Sequence, residues 1–287
     1  MDRRIAAIVP EDRERVMEST SDPFIIPAER LPEGFAQRIE DPPAEPVPAR
    51  PAATAVLMRD GEAGPEVLLL RRHRSSGFVP GAYVFAGGRV DAADGDARIL
   101  ARAPTLAGRA DPEPAYWVAA AREVFEETGV LLAVDASGEA APDAGSSERV
   151  AEWREALLAG NAGMRDVLEA LDLRLALEDM VYFAHWITPV VEPRRYDTRF
   201  FLARLPAGRS ALADPREMTD AVWLTPEAAL RRFVEGTLPM VFPTVRTLET
   251  LKPFRTTAEA LDAFRHATVS PILPRLVRRG NGVTIEV

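Results

Sequence analysis

The sequence predicts an α+β protein, a mixed sheet layered between helices. Three observations lead there. Apolar runs of strand length recur between turn residues, other stretches carry helical spacing with capping signals, and the two kinds neither alternate regularly nor repeat. At 287 residues the chain suits one large domain or two ordinary ones.

Residues 1–51 read as an arm, because Asp41-Pro42-Pro43-Ala44-Glu45-Pro46-Val47-Pro48 and Pro51 are too proline-rich for a helix or a central strand. Phe24, Ile25 and Ile26 are apolar enough to dock it on the body. Thr54–Met58 and Val67–Leu70 read as two strands joined through Asp60-Gly61 and Gly64-Pro65. Tyr83-Val84-Phe85 makes a third short strand, ending at Gly87-Gly88. Residues 94–113, rich in Ala, Asp, Gly and Pro, read as a loop with at most one helical turn. A helix follows from Pro114 to Gly129, with Asp111 as its cap. Val130–Val134 suits a strand, and 147–159 and 164–171 suit an inserted helical pair spanning about 147–173. Strands are expected at Met180–Thr188, Thr198–Leu205 and Ala221–Leu224, then helices from Pro226, Pro243 and Thr257. The expected organisation is an arm over 1–51, a main domain over 52–235 and a helical C-terminal extension over 236–287 packed on it.

Composition narrows the function classes. A formal net charge of −9 argues against a nucleic-acid partner, which a basic face would advertise. Without cysteine there is no disulfide framework, thiol nucleophile or zinc–thiolate site. No apolar run approaches the ~18 residues of a membrane span, and Ile5-Ala6-Ala7-Ile8-Val9 is shorter than a secretory signal's apolar stretch. Lys252 is the only lysine, so nearly all positive charge is arginine, whose planar fork matches phosphate well.

The densest chemistry lies in Arg122-Glu123-Val124-Phe125-Glu126-Glu127-Thr128-Gly129-Val130. On a helix Glu123, Glu126 and Glu127 share one sector, while Val118, Ala121, Val124, Phe125 and Thr128 take the other side. Like charges so placed repel, and only Arg122 is near enough to relieve them. A hard divalent cation would do so, since Mg²⁺ favours carboxylate and phosphate oxygens. Taken alone the string also fits a solvated acidic face. Upstream stands Phe85-Ala86-Gly87-Gly88-Arg89-Val90-Asp91-Ala92-Ala93-Asp94.

Together the two pieces resemble the Nudix box, G-x(5)-E-x(7)-R-E-U-x-E-E-x-G-U with U aliphatic. Gly88 takes the glycine position and Asp94 the first acid. Arg122, Glu123, Val124, Glu126, Glu127, Gly129 and Val130 match the second half throughout. Aspartate replaces the first glutamate, and 27 residues rather than seven lie between Asp94 and Arg122. Such an insertion resembles the Nudix branch typified by the mammalian peroxisomal coenzyme A diphosphatase. Leu68–Arg72, Gly77–Phe85, Trp186–Pro189, Arg194–Thr198 and Phe200-Phe201 are similar to that branch too.

The resemblance implies a Nudix fold, an α/β/α sandwich, and metal-dependent hydrolysis of a diphosphate bond in a small-molecule nucleoside diphosphate derivative. It implies Mg²⁺ or Mn²⁺ held by Glu123, Glu126, Glu127 and the main chain at Gly88, with Arg122 orienting a glutamate. Glu123 is the first choice of general base and Glu217, just before the strand leading to Trp223, the second. Arg71 and Arg195 are the arginines chosen for substrate phosphate. Coenzyme A or acyl-coenzyme A is the first expected substrate, giving 3′,5′-ADP and a 4′-phosphopantetheine product, ahead of NADH, ADP-ribose or a similar molecule. A regulator that senses nucleotides without catalysis is the reading from another class, and the complete glutamate set argues against it. Ile285-Glu286-Val287 is unlike the Ser-Lys-Leu peroxisomal address, so a cytoplasmic protein is expected, without membrane or nucleic-acid partners. A homodimer stays open.

Overall fold

A two-residue strand β1 (Ile26–Pro27) and a short helix α1 (Phe35–Glu40) precede the long strand β2 (Arg50–Gly61) in the computed structural model. The structure describes residues 24, 26, 27, 31, 33–74, 79–109, 111–280 and 282–287. Residues 1–23 of the expected arm, Ile25, and Gly77-Phe78 therefore lie outside the described residues. Phe24 does dock, its ring 5.5 Å from Phe233 and 4.9 Å from Phe242.

β2 is buried along most of its length, as suits a central strand whose alanine, valine and leucine run faces packed layers on both sides. It turns at Gly61–Gly64 into β3 (Gly64–Arg72), the hairpin expected from the turn residues. β4 (Tyr83–Val84) pairs with β3, and β5 (Ala86–Arg89) pairs with the first half of β2. The chain next forms α2 (Ala97–Ala101) and the carboxylate helix α3 (Pro114–Thr128). After β6 (Ala133–Val134) come the helical pair α4 (Glu148–Leu158) and α5 (Met164–Ala170), then β7 (Arg174–Leu175). Strands β8 (Met180–Ile187), β9 (Tyr196–Arg204) and β10 (Met218–Leu224) lead to helices α6 (Pro226–Val234), α7 (Phe242–Leu251) and α8 (Thr257–Phe264). The chain ends in β11 (Pro271–Ile272), β12 (Arg275–Arg279) and β13 (Gly282–Glu286).

The main sheet runs β10-β3-β2-β9-β8-β11, parallel at β2–β9 and β8–β11 and otherwise antiparallel. Alternation along each strand divides the core. Ala53, Ala55, Leu57, Leu68, Leu70, Ala86 and Phe201 face α3 and the helical pair. Val56, Met58, Val67, Leu69, Phe200 and Leu202 face the layer of α6, α7 and α8. The expected α+β sandwich is present.

Four details differ from the sequence reading. Residues 94–113 are not a plain loop: Ile99, Ala103 and Leu106 are buried in the α3-side core, so small residues there pack rather than project. Arg165 Nη1 reaches Asp96 Oδ2 (3.4 Å), Arg102 Nη1 donates to the Leu173 carbonyl (3.0 Å), and Leu175 N donates to the Arg102 carbonyl (2.7 Å), joining this segment to the helical pair. The cap position of α3 is Glu113, not Asp111, and it makes no side-chain capping bond. The strand expected at Val130–Val134 shortens to β6. The expected C-terminal helices are α7 and α8, but the last residues form strands, with β12 and β13 joining β1 in a separate small sheet. Among the described residues no helix is long and apolar enough to cross a membrane.

Candidate active site

Helix α3 lies over β2 and β5, where small residues let it approach closely. Val118, Ala119, Ala120, Ala121, Val124 and Phe125 are all inaccessible to solvent beneath it. The sheet answers with Ala53, Ala55, Ala86, Gly87 and Gly88. Proline in the first turn suits a position whose N–H has no partner inside the helix. The helix stops at Gly129, whose φ of 72° is the left-handed conformation that glycine adopts without strain.

This packing presses the polar sector of α3 against the β5 strand. Arg122, Glu123 and Glu127 are buried, while Glu126 is half-buried. Arg122 donates through Nη1 to Glu123 Oε1 (2.8 Å) and Glu126 Oε1 (3.1 Å), and through Nη2 to the Arg89 carbonyl (2.8 Å). Its Nε reaches Asp94 Oδ1 at 2.9 Å. Asp94, also buried, accepts from the Asp91 N–H at 2.8 Å. The first acidic position thus returns to Arg122 across the long intervening segment. The Gly87 N–H donates to Glu127 Oε2 at 3.2 Å. Gly88 is tighter still, since a Cβ there would lie 2.4–2.7 Å from the Glu123 carboxylate.

Burial sets the electrostatics. It pushes Glu123 up to about 7, with Glu126 and Asp94 adding and Arg122 opposing. Glu126 is raised for the same first reason, against the pull of Arg122. Glu127 is raised well above the usual carboxylate range by burial and by Glu123 and Glu217, against Arg72 and the Gly87 N–H. Burial would depress Arg122, but its bond to Asp94 and the surrounding carboxylates outweigh that and raise it. Crowded, desolvated carboxylates call for more positive charge than Arg122 alone brings, and their oxygens are hard donors of the kind Mg²⁺ and Mn²⁺ take. The donor chemistry fits a divalent cation. Among the described residues no three acidic or histidine side chains already stand as a ready-made cage.

The structure brings Glu217 to this helix: exposed, it sits one residue before β10, and its charge raises both Glu126 and Glu127. It does not bring Arg71. Neighbours on a strand face opposite ways, and with Leu68 and Leu70 toward α3, Arg71 points to the other layer. There its guanidinium lies 5.7 Å from the Tyr83 ring and its Nε reaches the Gly81 carbonyl (3.4 Å). Arg72 takes the α3 side, where its charge acts on Glu127. The alternation of Leu68 and Leu70 was the signal that picks it. Arg195 is buried and donates to the main-chain carbonyls of Thr188 (3.1 Å) and Val47 (2.7 Å), tying the proline-rich arm to the β8–β9 turn. Arg154 of α4, which the sequence reading passed over, donates through Nε to the Glu126 carbonyl at 3.0 Å.

Residues 100–251, more than half of the chain, match the NUDT19 Nudix domain. Among curated proteins, the chain is 30% identical over 211 residues to an acyl-coenzyme A diphosphatase NUDT19 of Gallus gallus, covering 58% of this chain and 56% of that protein. To the Homo sapiens acyl-coenzyme A diphosphatase NUDT19 it is 27% identical over 249 residues, covering 72% and 63%. The chain thus spans somewhat over half the length of these relatives. A crystal structure of a Nudix hydrolase from Alicyclobacillus acidocaldarius superposes with a TM-score of 0.66 at 30% identity, covering 78% of this chain and 98% of that one. The box-like glycines and carboxylates gathered around α3 and these matches agree, and the chain belongs to the Nudix hydrolase family, in the branch defined by the NUDT19 Nudix domain.

Proposed function

We propose that this protein hydrolyses the diphosphate bond of a nucleoside diphosphate derivative with the help of Mg²⁺ or Mn²⁺, and that coenzyme A or acyl-coenzyme A is its substrate. The observation that carries the reading is the carboxylate trio on one face of α3, with buried Glu123 and Glu127 pressed against Gly88 and Gly87 and half-buried Glu126 beside them, every member raised in pKa. The names of the curated relatives support the choice of substrate.

Glu123, Glu126, Glu127 and the main chain at Gly88 would hold the cation, which when bound neutralises phosphate charge and acidifies an attacking water. Arg122 keeps Glu123 and Glu126 turned toward one another and takes its own orientation from Asp94. Arg72, whose charge acts on Glu127, would bind a phosphate oxygen of the substrate. The base is better assigned to Glu217 than to Glu123. Glu123 Oε1 is engaged by Arg122 and its carboxylate fills the space a Cβ at Gly88 would take, whereas Glu217 is exposed to water and its charge acts on Glu126 and Glu127. A carboxylate needs reach to its water before its pKa matters.

The test is a substrate panel of coenzyme A, acyl-coenzyme A, NADH and ADP-ribose with Mg²⁺ or Mn²⁺. Release of 3′,5′-ADP from coenzyme A, with the highest kcat/KM of the set, is the expected result. Faster cleavage of NADH or ADP-ribose would overturn the substrate, and no cleavage of any member would overturn the enzyme reading in favour of a sensor.

A further inference from the structure

We propose that Arg154, on the inserted helix α4, is a positioning residue that seats Glu217 against the carboxylate helix. The last four carbonyls of a helix have no partner within it. At the end of α3 they serve as docking points for two separate stretches of chain. The Glu127 carbonyl accepts from Asp214 N (3.0 Å), the Thr128 carbonyl from Leu212 N (2.7 Å) and the Gly129 carbonyl from Ala144 N (2.9 Å). The Glu126 carbonyl accepts from Arg154 Nε, and the same guanidinium donates through Nη2 to the Leu212 carbonyl, each at 3.0 Å.

One buried cation therefore clamps the helix end and the segment 212–217 together, with a charge sign that suits a helix C-terminus. The left-handed Gly129 makes room for it, since a Cβ there would stand 3.2 Å from Arg154 Nη1. The next residue of α4 adds a second, more exposed clamp. Glu155 accepts from Arg216 Nη1 and Nη2 (2.9 and 3.0 Å), and Arg216 Nε donates to Asp214 Oδ1 (2.9 Å). Asp214 and Leu212 are thus fixed to α3 a few residues before Glu217, whose charge is felt by Glu126 and Glu127. No side chain of α4 among these reaches the carboxylates through its own head group. Arg154 acts through the main chain.

The inference rests on the diphosphatase reading with Glu217 as base, and two readouts keep them apart. In full-length Arg154→Met, amide exchange at Leu212 and Asp214 should quicken about tenfold or more, the scale of one lost charge-assisted hydrogen bond, while Val124 and Phe125 amides keep their protection. With coenzyme A and Mg²⁺, the kcat of Arg154→Met should fall about tenfold with KM changed less than about twofold. Arg154→Lys, which can still serve one carbonyl, should recover part of it. Adding Arg154→Met to Glu217→Gln should cost little more than Glu217→Gln alone, because both remove the same contribution. Unchanged Leu212 and Asp214 exchange, an unchanged kcat in folded protein, or losses that multiply would each overturn the proposal. A wild type without diphosphatase activity would fell the functional reading, and the exchange arm would still decide the clamp. Should Arg154→Met fail to fold, Arg154→Lys and Glu155→Gln carry the same comparisons.

Discussion

Replacing Glu123 by glutamine should stabilise the metal-free protein at alkaline pH. The Glu123 carboxyl moves from 4.5 in the open chain to about 7 in the fold. Between those values the folded protein retains a proton that the unfolded chain has released. Stability from this group is therefore complete below pH 4.5 and lost as pH rises through about 7. One pKa unit corresponds to about 1.4 kcal/mol, so the loss amounts to about 3 kcal/mol. Glutamine carries no charge at any pH and keeps the shape of the protonated acid, and the pull of Arg122 on the carboxylate is already contained in the shift to about 7. The gain at pH 8 is therefore about 3 kcal/mol, or roughly 6–12 °C in Tm for a chain of this size. Thermal unfolding of both proteins in chelator from pH 4 to 8.5 reads it directly, with the two curves converging toward pH 4.5. Saturating Mg²⁺ should reverse the order at pH 8, because a cation bound to the native state alone stabilises it. If Glu123→Gln melts at or below the wild type at pH 8 in chelator, burial of this carboxylate does not control the site.

Four further outcomes are expected. Glu126→Gln or Glu127→Gln should each lower coenzyme A turnover about 10²-fold with melting retained, as for loss of a major charge-stabilising group; unchanged kcat in both would remove the metal assignment. Gly88→Ala should fold yet lose activity, because the atoms its Cβ meets first belong to the Glu123 side chain, while Gly87→Ala should fail to fold, its Cβ meeting the Ala53 carbonyl at 2.6 Å and the Thr54 Cα at 2.9 Å; soluble yield and circular dichroism separate them. Ile99→Ala should cost about 2–5 kcal/mol in denaturant unfolding, a value near zero showing that the 94–113 segment is dispensable packing. Arg195→Ala should lower Tm yet leave the ratio of kcat/KM for coenzyme A and its 3′-dephospho form unchanged, whereas Arg72→Ala should raise KM for both substrates.

What the sequence made legible is what local chemistry encodes. The ends of α3 follow from Pro114 and Gly129, and the shared sector of Glu123, Glu126 and Glu127 follows from helical spacing. One step of strand parity separates Arg71, which lies by the Tyr83 ring, from Arg72, whose charge acts on Glu127, and Leu68 and Leu70 carry that phase. Residues 94–113 were misread because alanine and proline signal a loop when their neighbours are unknown, and only the tertiary core reveals Ile99, Ala103 and Leu106 as buried. β13 depends partly on β1, some 250 positions away, as Ile26 opposite Val283 shows, and no local pattern carries that pairing. Arg154 was invisible for a different reason. Its partners are main-chain carbonyls, which any residue supplies, so no side-chain motif marks it.

The bonds from Arg165 to Asp96 and from Arg102 and Leu175 across to one another make the segment before α3 and the helical pair a single cassette, closed by shared packing of Ile99, Val167, Leu168 and Leu175. A chimera that exchanges one half with a shorter homologue would expose the apolar side of the other. Exchange of both halves at once leaves each interface intact. Length changes at these two places in the chain are therefore expected to travel together, and a designer who wants a minimal version of this scaffold must cut at both sites or at neither.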